Sequence, residues 1–231
     1  MIDVSRKEIK YLVGPADIVG LKKQLGPLMK SDAHNGDNGY RVRSLYFDTI
    51  SDTDFEDKVD GYDNRQKVRM RIYDADMNII KLELKEKSGN AQRKRSLILS
   101  REEAERLINA DYSCLMEREE KLAAWLYTFM TSRCYRPKCI VEYNRFAFYL
   151  DQNDTRVTFD TDLRASELDL NLLNKDMMLY PVSGIGEETL EVKYSGFLMS
   201  FIKNELMAYG RMQVSNSKYC RARKITKRGR R

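Results

Sequence analysis

A single histidine, His34, stands in 231 residues, within a polar, turn-like stretch. That scarcity excludes Ser-His and Cys-His catalytic pairs unless His34 leaves its loop, and no GxSxG or Walker A sequence is present. The four cysteines, Cys114, Cys134, Cys139 and Cys220, form no CxxC pair, which excludes a zinc site of the usual spacing. They read as reduced, semi-buried thiols. No run approaches the roughly 20 apolar residues that a spanning helix needs, and the first residues, Met1 to Arg6, contain no apolar signal core. The expectation is a cytoplasmic protein, with peripheral attachment to a membrane left open. The chemistry that remains must run on charges, carboxylates and a bound divalent ion.

Strand signals are plentiful, at Arg6–Val13, Tyr40–Asp48, Gln66–Tyr73, Ile79–Lys87, Gln92–Leu99, Lys138–Leu150, Arg156–Leu163 and Thr189–Tyr194. Eight strands are enough to close a barrel. Between them, Ala16–Met29 follows Pro15 and places Ile18, Leu21, Leu25 and Leu28 on one helical stripe. Ser100-Arg101-Glu102-Glu103 is a capping box that opens a helix toward Ala110. Leu122, Leu126 and Phe129 stripe the next helix, and a last one runs from Phe197 to Tyr209. Strands and helices do not alternate as a parallel sheet demands, so the fold class is α+β with an antiparallel sheet. One domain is expected over residues 1–223, followed by a basic disordered tail over 224–231.

The net charge of +6 matters less than its distribution. Alternate residues of a strand share a face, and here the second face carries cations instead of neutral polar groups. Lys67, Arg69 and Arg71 oppose Val68, Met70 and Ile72, while Lys81, Glu83, Lys85 and Lys87 oppose Leu82 and Leu84. Arg41 and Arg43 form a further pair, as do Arg93 and Arg95, and Arg6, Glu8 and Lys10 line one side of the first strand. For one strand this is an ordinary water-facing side. Repeated over five strands, it stores like-charge repulsion that a polyanion would relieve. The apolar faces need partners, which the amphipathic helices supply from outside. The expected form is a closed, antiparallel, eight-stranded β-tunnel with a basic lumen, covered outside by helices.

With these residues in view, the chain resembles the tunnel domain of the vacuolar transporter chaperone (VTC) polyphosphate polymerases, within the CYTH or triphosphate-tunnel superfamily. The resemblance spans nearly the whole chain. It rests on Arg6-Lys-Glu-Ile-Lys-Tyr11, Ser44-Leu-Tyr-Phe-Asp48, Lys67-Val-Arg-Met-Arg-Ile-Tyr73, Leu82-Glu-Leu-Lys85, Glu142-Tyr-Asn-Arg145, Val157-Thr-Phe-Asp-Thr161, Leu190-Glu-Val-Lys-Tyr194 and Ser217-Lys218. It implies an enzyme that uses ATP and Mn²⁺ or Mg²⁺ to extend inorganic polyphosphate by the γ-phosphoryl group. It also implies that Lys10, Arg69, Arg71, Lys85, Arg93, Tyr143, Arg145, Arg156 and Lys218 hold phosphates and that Glu191 holds the metal. In the run Arg93-Lys94-Arg95 the resemblance points to Arg93. Lys193 joins on strand geometry, and Arg41, Arg43, Lys67, Arg95 and Ser217 complete the candidate set.

The superfamily's triphosphatases open with ExExK, whereas this chain has Arg6 where the first glutamate would stand, which favours the polymerase branch. The rival readings are a triphosphatase or nucleotidyl cyclase of the same superfamily, a polyphosphate sensor without activity, and a nonspecific nucleic-acid binder. No specific nucleic-acid partner is expected. The expected partners are ATP and polyphosphate or triphosphate, with a membrane protein a compatible addition that the sequence does not display.

Overall fold

The computed structural model describes residues 6–73, 79–89, 91–184, 186–208 and 213–228. In chain order the elements are β1 (Arg6–Val13), α1 (Pro15–Leu25), β2 (Lys30–Ser31), β3 (Tyr40–Asp48), α2 (Thr53–Val59), β4 (Arg65–Ile72), β5 (Ile80–Ser88) and β6 (Ala91–Leu99). There follow α3 (Arg101–Ile108), α4 (Lys121–Ser132), β7 (Arg136–Leu150), β8 (Thr155–Ser166), β9 (Tyr180–Pro181), β10 (Glu188–Ser195), α5 (Ser200–Ala208) and α6 (Lys218–Arg228). The expected α+β class with antiparallel pairing is observed. Of the last helix expected before α6, Tyr209 lies outside the described residues, as does the side chain of Arg6.

The chain divides into two compact units, each discontinuous in sequence. The first comprises Met1–Arg41, Tyr143–Leu163 and Pro181–Ser217. Its strands run in the order β1-β10-β8-β7, with β2 on β7. The apolar face, with Val157, Phe159, Leu190 and Val192, packs against Ile18, Leu21 and Leu25 of α1 and Ile202 and Leu206 of α5. Pro15 presets the first turn of α1, and the Asp17 carboxylate accepts the Gly14 N–H at 2.8 Å, closing the helix start. Leu28, expected on the buried stripe, lies beyond the end of α1 and is exposed. Gly39 takes φ +98° where the backbone passes the Arg145 carbonyl, an approach that leaves no room for a Cβ.

The second unit comprises Val42–Glu142, Arg164–Tyr180 and Lys218–Arg231. Its strands run β7-β3-β4-β5-β6. Leu45, Phe47, Val68, Met70, Leu82 and Leu84 pack against Leu107 of α3 and Leu126 and Met130 of α4. Each such side chain contributes roughly 1.5–3 kcal/mol when fully buried. The capping box forms as expected: Ser100 Oγ accepts the Glu103 N–H at 3.1 Å, and Glu103 Oε2 accepts the Ser100 N–H at 2.7 Å.

Two expectations are corrected. Among the described residues no ladder joins β1 to β6, so backbone pairing does not close the eight-strand ring. The outer edge of β1 is used otherwise: the Val214 N–H donates to the Lys10 carbonyl at 2.8 Å, and Tyr11 bridges to Gln213. On β6, exposed Arg93 and Lys94 put charge along the strand, a common way of blunting an edge. The second correction concerns the basic tail. Residues up to Arg228 belong to α6, with Tyr219 and Ala222 buried. Arg223 pairs with Asp52 at 2.6 Å and Glu167 at 2.7 Å, and Lys227 reaches Glu56 at 2.8 Å. Residues 229–231 lie outside the described residues. Among the described residues no helix is long and apolar enough to cross a membrane.

Candidate functional site

Parity decides which cations of the second unit share a side of its sheet, because residues directly opposite in an antiparallel ladder project to the same face. Arg71 stands opposite Ser44 and Lys81, Arg69 opposite Tyr46 and Glu83, and Lys67 opposite Lys85. Lys85 in turn stands opposite Lys94. Lys67, Arg69, Arg71, Lys81, Lys85 and Lys94 therefore share one face. On it Glu83 is the one carboxylate among the described residues of β4 to β6.

Glu83 is wholly buried and gathers the cations around it. Arg69 Nε donates to Glu83 Oε2 at 2.7 Å, Arg71 Nε lies 4.0 Å from the same oxygen, and Lys94 pairs with Oε1. Burial alone would lift the Glu83 pKa, but Arg69, Arg71 and Lys94 outweigh it and hold the carboxyl at about 2. Arg69 is fixed at a second nitrogen, with Nη1 donating to the Tyr46 hydroxyl at 3.2 Å. Arg71 Nε donates to Ser44 Oγ at 3.1 Å. One carboxylate among so many cations leaves a surplus of positive field, the condition that concentrates a polyanion.

The same parity removes two expected pairs from this face. Arg43 stands opposite Ile72, on the apolar side with Leu45 and Phe47. It is a buried clasp: Nε donates to Glu142 at 2.6 Å, and Nη1 to the carbonyls of Asn174 at 2.5 Å and Leu172 at 3.4 Å. Arg41 is exposed. Arg93 and Arg95 stand opposite Glu86 and Leu84, also on the helix side. Arg95 holds Glu86 at 3.0 Å and lies 5.0 Å over the Trp125 ring, while Arg93 lines a cavity of about 520 Å³ with Gln66, Glu86 and Arg133. Of the run 93–95, Lys94 is the residue on the cationic face.

The first unit carries a different constellation. Glu8 stands opposite Lys193 and Lys10 opposite Glu191, so all four share a face of β1 and β10. Lys10 Nζ lies 2.9 Å from Glu8 and 3.4 Å from Glu191, while Lys193 Nζ lies 3.6 Å from Glu8 and also pairs with Glu191. Burial pulls the Lys10 pKa down, but Glu191 and Glu8 prevail and raise it. Lys10 also donates to the Asn216 carbonyl at 3.2 Å, and Asn216 Nδ2 donates to Thr189 Oγ1 at 2.8 Å. Arg145 grips buried Asp160 through two bonds of 2.6 and 2.7 Å and lies 5.3 Å over the ring of buried Tyr143. Arg156 pairs with Asp32 at 2.6 Å and donates to the Tyr40 hydroxyl at 3.1 Å. Ser217 and Lys218 are half-buried at the start of α6.

Among the described residues no three His, Cys, Asp or Glu side chains cluster as a metal cage. Glu8 and Glu191 nevertheless gather two ammonium groups, the charge of one divalent cation. Two carboxylates suit a hard ion whose remaining ligands are water and substrate phosphate, so the residues present fit Mg²⁺ or Mn²⁺.

Sequence reasoning missed Tyr46 and Ser44 as members of the cationic face, and Asp160 as the partner of Arg145. Tyr46 and Asp160 sit inside motifs already noted, whereas Lys94 follows only from the register that sets it opposite Lys85. No local signal marks Asn216, which meets Lys10 from 206 positions away.

The family model described as VTC domain matches residues 5–227. No curated protein matches the chain. Among solved structures, a putative adenylate cyclase from Bacillus halodurans is similar with a TM-score of 0.54 at 16% identity, over 92% of this chain and 95% of that one. A putative adenylyl cyclase from Hippeastrum, described as having a dominant triphosphatase activity, aligns with a TM-score of 0.54 at 14% identity, over 94% of each chain. At such identities these two share a fold with the chain.

Proposed function

Because the chain belongs to the VTC domain family, we propose that it is a polyphosphate polymerase that transfers the γ-phosphoryl group of ATP to a growing inorganic polyphosphate chain. The observation that carries this reading is the cationic face of β4 to β6, where Arg69, Arg71 and Lys94 gather on the buried carboxylate of Glu83 and further lysines share the same side. Phosphoryl transfer asks a protein mainly to hold reacting oxygens in line and to neutralise spread negative charge. Arg69 and Arg71 offer forked donors to phosphate oxygens, and Lys67, Lys85 and Lys94 offer point charges. Lys10, Tyr143, Arg145, Arg156, Lys193, Ser217 and Lys218 are the further phosphate ligands of the proposal. A terminal phosphate oxygen of the chain bonds to the γ-phosphorus, the bond to the β,γ-bridging oxygen breaks, and ADP leaves. The attacking oxygen is already ionised, so the lack of a usable histidine is no obstacle.

Glu191, with Glu8 beside it, would hold Mn²⁺ or Mg²⁺, which supplies Lewis-acid stabilisation of phosphate oxygens when bound. The test is incubation with ATP and Mn²⁺ and a search for polymers on a gel. Glu191→Gln is expected to abolish turnover and to leave polyphosphate binding, measured by titration, largely intact, because no cation is removed. Full activity in that variant would refute the metal assignment. The second reading, a triphosphatase, draws on the fold shared with the Hippeastrum protein. Orthophosphate without polymer would establish it, and binding without any turnover would establish a sensor.

A further inference from the structure

Tyr46 looks at first like core: it lies on a central strand, is 6% exposed, and stacks on Tyr219 with ring centroids 4.9 Å apart and planes at 20°. Its hydroxyl, however, is on the cationic face, where it accepts the Arg69 Nη1 bond at 3.2 Å. Glu83 holds Nε of the same guanidinium at 2.7 Å. Two fixed points on a planar group set both its position and the direction of its plane, which a single ion pair does not. Tyr46 is itself fixed from behind. The Tyr219 hydroxyl donates to Asp48 at 2.7 Å, and the Asp48 carboxylate accepts the N–H of Thr49 and those of Asp54 and Phe55 in the first turn of α2. Lys67 lies 5.7 Å over the Tyr219 ring.

We infer that Tyr46 is a positioning residue for polyanion binding, orienting the Arg69 guanidinium through its hydroxyl while its stack on Tyr219 ties that orientation to helix α6. This rests on the reading that the β4–β6 face binds phosphates. It gives the Tyr46–Tyr219 pair a task beyond packing and makes α6 part of the binding apparatus.

The groups that face the Tyr46 hydroxyl also provide a readout. Arg69, Arg71 and Lys67 act on it from β4, while Glu83 of β5 is linked to it through Arg69 and Asp48 of β3 through Tyr219 of α6, whose ring stacks on that of Tyr46. Burial opposes ionisation of the phenol, yet the three cations prevail and its pKa lies below the usual tyrosine value. A polyanion bound to those cations would cancel part of their field and drive the phenol pKa upward.

The experiment titrates tripolyphosphate calorimetrically into wild type, Tyr46→Phe, Arg69→Ala and the double variant, with phenolate absorbance followed against pH with and without ligand. Tyr46→Phe keeps the ring and is expected to weaken binding about three- to tenfold, the scale of one ordinary net hydrogen bond. On the Arg69→Ala background it is expected to change nothing further, because its effect passes through Arg69. A tyrosine step below the usual tyrosine range is expected to be lost in Tyr46→Phe and to rise with tripolyphosphate in wild type. The wild-type arm needs no variant to fold. Wild-type affinity in Tyr46→Phe alongside weakened Arg69→Ala would overturn the inference and leave the phosphate reading standing. So would equal losses on both backgrounds, or a phenolate step that ignores the ligand. Unchanged affinity in Arg69→Ala would sink the phosphate reading of this face, and the inference with it.

Discussion

Replacing Glu83 by glutamine removes one charge and almost no volume, so its consequences report on electrostatics alone. The carboxyl is held at about 2 against an ordinary value of 4.5, a gap equivalent to roughly 3 kcal/mol at neutral pH. Breaking one partner out of a buried pair costs a similar 3–5 kcal/mol or so in other proteins. Arg69, Arg71 and Lys94 would be left facing one another. For a chain of this size the melting temperature is expected to fall by about 6–12 °C. The pH dependence has a definite sign. Because the folded pKa lies below the unfolded one, the stabilisation is complete above 4.5 and is lost as pH falls from there toward about 2. The variant should lack that acid limb. Tripolyphosphate should raise the melting temperature of Glu83→Gln more than that of wild type, since the ligand supplies the anion the variant has lost. Calorimetric melting from acid to neutral pH, with and without ligand, measures all three effects. A variant that melts within about a degree of wild type, with the same acid limb and the same ligand response, would refute the view that Glu83 is the counter-ion of this face.

The remaining predictions concern groups away from that face. Arg43→Ala leaves Glu142 buried without its partner and is expected to cost about 3–5 kcal/mol in denaturant unfolding, with tripolyphosphate affinity unchanged because Arg43 lies on the apolar side. Weakened binding in a folded Arg43→Ala would return the residue to the ligand set. Burial, then the Asp48 charge, push Asp54 up to about 8 from 3.8, so the native state keeps a proton that the unfolded chain releases, and stability falls as pH rises between those values. Asp54→Asn is expected to remove that slope and to be the more stable protein above pH 8, as melting followed against pH would reveal. Gly39→Ala combines positive φ with a collision at the Arg145 carbonyl and is expected to cost at least about 1–3 kcal/mol, measured by chemical denaturation. A neutral result would mean that the β3 entry relaxes freely.

The strands were legible because a one-sided sheet writes its period into the chain. Every main strand begins and ends within three residues of its expected bounds. Helices α1, α3 and α4 were legible for the same reason, with Ser100 and Pro15 marking two of the starts. Helix α6 was not, because Lys218–Arg228 is so basic that its buried positions, Tyr219 and Ala222, do not form an apolar stripe by themselves. Its helix is held by ion pairs to Asp52, Glu56 and Glu167, and a sequence does not display charge complementarity between segments far apart.

The site was legible to the same depth and failed for a related reason. Alternation states that Arg93 and Arg95 share a side, and that Lys67, Arg69 and Arg71 share a side, but not whether the two sides coincide. That relation depends on register across β4, β5 and β6, and a slip of one residue reverses it. A single cross-strand pair resolves it: once Lys67 stands opposite Lys85 and Lys85 opposite Lys94, Arg93 and Arg95 must project the other way. Arg43 shows the same limit more sharply. Its counter-charge, Glu142, is 99 positions away, and that pairing, with the carbonyls of Leu172 and Asn174, lets an arginine sit 3% exposed among Leu45, Phe47 and Ile72. Counting cations by strand therefore overstates the number available to a polyanion. Counting them by register, and subtracting those held by buried carboxylates on the apolar side, leaves the set around Glu83 on which the proposed chemistry depends.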